Sequence, residues 1–267
     1  MLIRSDAPLW YSSLLDPDLV VAPNIVGVRI WSERLTSRVV HIPALPQRGM
    51  RPRDASRTGT HALAFKGNPV SVPSFLGKPD FVDALGRLSV DLIIDAPTHT
   101  DGPDQTWHDF TTADAVLCTR DAAPGDSLLN KPATRLINAW RAGAIPLVGT
   151  EPAYLELVTD GVDGFVVKSP EDILDVVRRL VDDASLEARV RAAAQRRAVD
   201  FDPVLALDRW AAALAEVVSP RRSRRQTAAR RAAVWARYCV RMARRTAGRL
   251  RRAVMRTRGR ARSASDG

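Results

Sequence analysis

The 267-residue chain is 45% hydrophobic and 26% charged, with 15 Gly, 18 Pro and 2 Cys, a globular composition that excludes a collagenous, disulfide-built or wholly disordered protein. No run reaches the roughly 18 uncharged apolar residues of a membrane-spanning helix, and Met1–Trp10 lacks the apolar centre of a signal peptide, so a cytoplasmic location is expected. The formal net charge of +10 hides a division. Residues 220–267 hold 17 of the 40 basic residues and one of the 30 acids, Asp266, for a charge of +16, which leaves 23 bases against 29 acids, or −6, in the rest. The chain reads as an acidic globule with a basic tail.

Residues 1 to about 60 are broken by Pro8, Pro17, Pro23, Pro43, Pro46 and Pro52, with strand candidates at Asp18–Ala22 and Val39–Ile42. Next come a strand at His61–Phe65, a helix at Pro79–Leu88 and a strand at Val90–Ile94. A helical segment around Trp107–Thr112 leads into the apolar run Ala115–Thr119. Pro132 suits the first turn of a helix over Ala133–Ala142, which stops at Gly143. A strand at Ile145–Val148, a short helix at Ala153–Val158 and a strand at Phe165–Val167 follow. Ser169 then caps a long amphipathic helix whose apolar face is Ile173, Val176, Val177, Leu180 and Val181. Two more helices, Ser185–Val199 and Pro203–Val218, complete the globule, the second with Leu207, Trp210, Leu214 and Val217 at helical spacing. Short apolar strands alternating with helices predict an α/β fold, a doubly wound, Rossmann-like parallel sheet covered on both faces. Such sheets bind ligands beyond the carboxyl ends of their strands.

The chemistry concentrates in residues 130–167. Lys131 and Arg135 are four apart at a helix start, where free amides and the helix dipole favour an anion such as a diphosphate. A solvated helix face is the competing reading. Asn138 stands one turn on, placed for a ribose or sugar hydroxyl, and Glu151 and Glu156 follow the next strand's end, where they either receive ribose hydroxyls or cap loops. His108 with Asp109 is a candidate acid/base pair, against which stands a hydrogen-bonded structural histidine. Cys118 reads as a buried strand residue. With 2 widely separated Cys and 4 His, no ligand spacing builds a metal site.

Asn138–Val148 (NAWRAGAIPLV) followed by Asp160-Gly161-Val162-Asp163-Gly164 resembles, in order and spacing, the donor-binding half of glycosyltransferases built from two facing Rossmann-like domains (GT-B type). Ile42–Arg53, Trp107–Arg120 and the helix beginning Lys131-Pro132 are similar to bacterial glycosyltransferase-like proteins. The resemblance implies a nucleotide-diphosphate-sugar-binding domain over 60–218, preceded in 1–59 by a truncated remnant of the acceptor-side domain. It implies donor contacts at Lys66 and Gly67 after the first strand, and at Arg120 as well as Lys131, Arg135, Asn138, Glu151 and Glu156. No cofactor or metal is expected, the nucleotide sugar being substrate. Retaining members often carry two glutamates eight apart, and the matching positions here are Asn130 and Asn138. The implied function is a glycosyltransferase for an unknown acceptor. The alternative is a non-catalytic nucleotide-sugar-binding protein or subunit, completed by a protein partner that supplies the acceptor site.

The tail, 219–267, has no proline after Pro220 and is dense in Ala and Arg, with Trp235, Cys239, Met242, Thr246, Leu250 and Ala253 at spacings of three or four. It reads as a basic amphipathic helix suited to an anionic membrane surface, which would make the protein peripheral at the inner face of the membrane. Nucleic acid is the rival partner, and a disordered extension without a partner is the third reading.

Overall fold

The computed structural model describes residues 2–4, 17, 19–35, 37–97, 106–121, 128–129, 131–218 and 236. The expected tail helix apart from Ala236, and with it Cys239, lies outside them, as does Asn130. Two parallel sheets organise the chain. The smaller runs β1 (Leu2–Arg4), β2 (Leu19–Ala22), β3 (Arg38–His41) in that order, with Val20 opposite Val39. Between β2 and β3 lies α1 (Ile25–Arg34), capped by Asn24. Its Trp31 is fully buried against Val20 and Ala22, burial that contributes on the order of 2–3 kcal/mol. The sequence reading placed no helix here, and Asn24 ahead of an apolar run was the available signal.

The larger sheet consists of β4 (Ala62–Lys66), β5 (Asp91–Asp95), β6 (Ala115–Cys118), β7 (Ile145–Val148) and β8 (Phe165–Val166), all parallel, in the order β5-β4-β6-β7-β8. The chain builds outward from β4 to β5, then crosses back over β4 to β6. The order therefore reverses between β4 and β6, the switch point where doubly wound sheets take their ligands.

Strand alternation sorts the core into two layers. Ala64, Val116, Cys118 and Val148 face α3 (Thr134–Ala142), through Leu136, Ile137 and Trp140, and part of α6 (Ala184–Ala198). Leu63, Phe65, Ala115, Leu117 and Leu147 face α2 (Pro79–Arg87) and α5 (Pro170–Asp182), through Phe81, Leu85, Ile173, Val177 and Leu180. The expected doubly wound α/β sheet is thus observed. The Ser169 cap of α5 is reciprocal, since the Asp172 side chain accepts from the Ser169 amide in return.

Three local expectations are corrected. Around Trp107 only one tight turn forms, Thr106–His108. Helix α3 starts at Thr134 with Ala133 as N-cap, so Pro132 and Lys131 precede it. In α7 (Pro203–Val218) the sheet side is not the Leu207/Leu214 stripe: those residues are 60% and 42% exposed, whereas Ala206 and Ala213 are 8% and 7% exposed. Ala213, with Trp210, packs against Leu19 and Val21 of the smaller sheet and Ile42 just beyond it. An almost uniformly apolar helix offers several stripes, and close approach selects the one with the smallest side chains.

Candidate functional site

At the carboxyl ends of β4 and β6 lies a cleft of about 760 Å³. Lys66, Gly67, Arg120, Lys131, Arg135 and Asn138 all line it, so six sequence-selected residues, spread over 73 positions of chain, converge on one cavity. Gln47, Asn68, Trp107, Phe110, Val116, Pro132 and Thr134 also face the cleft, and the sequence reading assigned none of these a part in binding.

The start of α3 supplies the amides. Its N-cap, Ala133, has no side chain to satisfy them, so the first-turn N–H groups remain available to an anion. Arg135 in this first turn lies over the Phe65 ring at 4.6 Å. Its guanidinium donates to the Thr119 carbonyl (3.0 Å) and the Ser71 hydroxyl (2.6 Å). Burial pushes its pKa below the ordinary arginine value, because desolvation penalises the charge. Among the described residues no carboxylate forms an ion pair with Arg135 or Lys131. Gly67 makes room for that guanidinium, since a Cβ there would collide with Arg135 Nη2.

The other two cations already have partners. Lys66 Nζ is 2.9 Å from Asp95 Oδ2 and lies over the Phe110 ring, while Thr106 Oγ1 donates to the other Asp95 oxygen (2.6 Å). Arg120 Nε is 3.1 Å from Glu151 Oε1, and its Nη2 reaches the Tyr154 hydroxyl at 3.4 Å. Desolvation penalises Arg120's charge, but Tyr154 and Glu151 together outweigh it and hold the pKa above the usual value. Burial raises the Glu151 pKa, against the pull of Arg120 and Arg135, and pushes the Tyr154 hydroxyl up to about 12. Of four cleft cations, therefore, Lys66 and Arg120 are ion-paired, whereas Lys131 and Arg135 form no ion pair with a carboxylate among the described residues.

The remaining candidates have other positions. Glu151 stands behind Arg120 and orients it. Glu156 is not brought to the cleft: its two oxygens accept from Ile25 N (2.8 Å) and Val26 N (3.0 Å) at the start of α1, where a carboxylate complements the dipole. Asn138 uses its carboxamide on Gln47, accepting from the Gln47 amide (3.0 Å) and donating to Gln47 Oε1 (3.3 Å). Asp109 accepts from Arg51 and from the Thr111 amide and hydroxyl. The Thr111 bonds, with Arg51, hold its pKa below the carboxylate norm, which makes it a fixed acceptor. His108, its neighbour, does not line the cleft. Cys118 is fully buried with its thiol pushed up to about 12, as a structural strand residue should be. Among the described residues no group of three or more His, Cys, Asp or Glu could hold a metal ion, and no helix is long and apolar enough to cross a membrane.

No protein-family model and no curated protein matches the sequence. Solved structures do match in fold. Anabaena HepE in complex with UDP-glucose is 15% identical with a TM-score of 0.59, over 80% of this chain and 68% of that one. Staphylococcus aureus TarM, solved with fondaparinux, alpha-GlcNAc-glycerol and UDP, is 11% identical with a TM-score of 0.52, over 73% and 43%. The pneumococcal O-GlcNAc transferase GtfA, solved with UDP and GlcNAc, is 13% identical with a TM-score of 0.52, over 78% and 47%. These are glycosyltransferases of GT-B type. The chain shares their α/β fold, as its motifs led one to expect, and spans less than half of TarM and GtfA.

Proposed function

We propose that the cleft binds a nucleoside-diphosphate sugar, and that the chain is a glycosyltransferase-type protein whose donor site this is. The observation that carries the reading is the partly buried Arg135, unpaired by any described carboxylate, at the uncapped start of α3 and beside Lys131. A diphosphate placed there receives α3 amides and two cations, and it restores a counter-charge to a guanidinium that burial disfavours. Lys66 and Arg120, already half-neutralised by Asp95 and Glu151, flank the same anion. Asn138 and Gln47 offer carboxamides for hydroxyls. The two positive charges match the diphosphate without a metal ion.

Isothermal titration with UDP-glucose, the ligand of the HepE complex, and with GDP-sugars tests this in metal-free buffer. Saturable binding is expected, weakened at least ~100-fold by Lys131→Ala with Arg135→Ala, because charged hydrogen bonds contribute about 1.5–3 kcal/mol each. Equal binding by that double variant, or none by the wild type at millimolar ligand, overturns the assignment.

One observation favours a second reading, donor binding without transfer by this chain alone. The described residues lining the cleft include no carboxylate and no imidazole, and acid/base work at neutral pH draws on those groups. A partner supplying the acceptor side would complete such a subunit. Release of UDP in the presence and absence of candidate acceptors separates the two: turnover by the purified chain removes the binding-subunit reading.

A further inference from the structure

The first residues of α1 belong to the smaller sheet's unit, yet they are held by the elements of the donor cleft. Asn24 is 1% exposed, and its whole carboxamide is engaged. Oδ1 accepts from the Gly27 amide (2.5 Å), while Nδ2 donates to the Leu129 carbonyl (3.0 Å) and to the Lys131 carbonyl (3.1 Å). On the same helix start, Glu156 takes the Ile25 and Val26 amides. The bond to Leu129 by itself would tether the loop. The bond to the carbonyl of Lys131 does more, because it orients the peptide of the residue whose side chain lines the cleft one step before Pro132.

From this we infer that Asn24 is a positioning residue of the donor site: through one carboxamide it couples the amino end of α1 to the backbone of Lys131 and so sets where that ammonium meets the ligand's anion. The inference rests on the donor reading. The smaller sheet thereby contributes to donor affinity without touching the donor. Lys131 lies outside α3; its amide closes a turn on the Leu128 carbonyl (3.2 Å), while its carbonyl is held by Asn24, so the peptide leading into Pro132 takes its orientation from that carboxamide.

The test is a double-mutant cycle between positions 24 and 131, read as the dissociation constant for UDP-glucose by titration calorimetry. Asn24→Ser keeps an oxygen to cap α1 but cannot reach the two carbonyls. It is expected to weaken binding about 10-fold in the wild-type background and by a factor near 1 when Lys131 is already Met. Asn24→Asp is the second variant: it retains the cap acceptor and lacks the N–H donor, so it too should lose its effect once Lys131 is Met. Thermal melts confirm that both variants fold. An equal loss in both backgrounds shows that Asn24 acts on the fold as a whole and overturns the inference, as does undiminished binding by Asn24→Ser. If the wild type binds no nucleotide sugar, the donor reading falls and takes this one with it, whereas binding that ignores position 24 leaves the donor reading standing.

Discussion

Gly67 and Arg135 share one seat, and the smaller residue decides whether the larger can use it. An added Cβ at 67 meets the Arg135 guanidinium, which can yield only by giving up its bonds to the Thr119 carbonyl and the Ser71 hydroxyl. Gly67→Ala is therefore expected to lower the melting temperature by a few degrees while reducing donor affinity about 10-fold or more, since the guanidinium leaves its position. A melt beside a titration checks both halves. Asp114 shows the opposite balance. Fully buried, it accepts from Arg53 Nε (2.8 Å), Arg57 Nη2 (2.7 Å) and the His61 amide (2.9 Å). Desolvation alone would raise its pKa, but the bonds from Arg57, His61 and Arg53 outweigh it and hold the group below the carboxylate norm. The folded pKa thus lies under the unfolded one, so its stabilisation is present above the unfolded value and disappears as pH falls through the folded value. Asp114→Asn should cost about 3–5 kcal/mol near neutrality and flatten the acid limb of stability against pH, measured by urea unfolding between pH 7 and pH 3. None of this clasp was legible in the sequence, because Asp114, Arg53 and Arg57 become partners only when the connection between the sheets folds back under β6.

At the scale of elements, sequence reading succeeded where a local rule and the tertiary contact agreed. Gly143 ends α3 in the left-handed region at φ 75 and lets its amide close on Ala139 and Trp140. Gly143→Ala should cost about 1 kcal/mol by chemical denaturation. Ser169, the parallel strands and the pairing of Lys131 with Arg135 were likewise legible from spacing, whereas Lys66 came from the resemblance to glycosyltransferase donor domains; all three cations line the cleft. Glu156 was not, because its partners, the amides of α1, belong to a helix the proline-broken start concealed. The face of α7 was misread for a different reason: hydrophobicity ranks Leu above Ala, whereas contact with Leu19 and Val21 requires small residues. Leu207→Glu should therefore change stability by less than about 0.5 kcal/mol, while Ala213→Leu, which overfills the contact, should destabilise by about 1–3 kcal/mol. Parallel denaturant curves distinguish the two faces.

For the molecule as a whole, the charge division stands beside a core that ends with α7. Every buried residue of the described chain precedes Val218, so removal of 219–267 is expected to leave a folded, acidic protein with an unchanged melting temperature. We propose that the +16 segment attaches the chain to anionic lipid; co-sedimentation with anionic but not neutral vesicles, lost on truncation and weakened by salt, is the expected result. RNA binding without vesicle binding would replace that partner. A mechanical consequence follows from the Asp114 clasp. It grips the connection at the amino end of β6, while Arg120 and the cleft stand at the carboxyl end, six residues on, so fulcrum and mouth are separated by a lever arm of roughly 20 Å. The bonds Gln47–Asn138 and Asn24–Lys131 lie at the mouth end of that span, so the smaller sheet's unit is fastened to the larger sheet at both ends of β6, at the clasp and at the cleft.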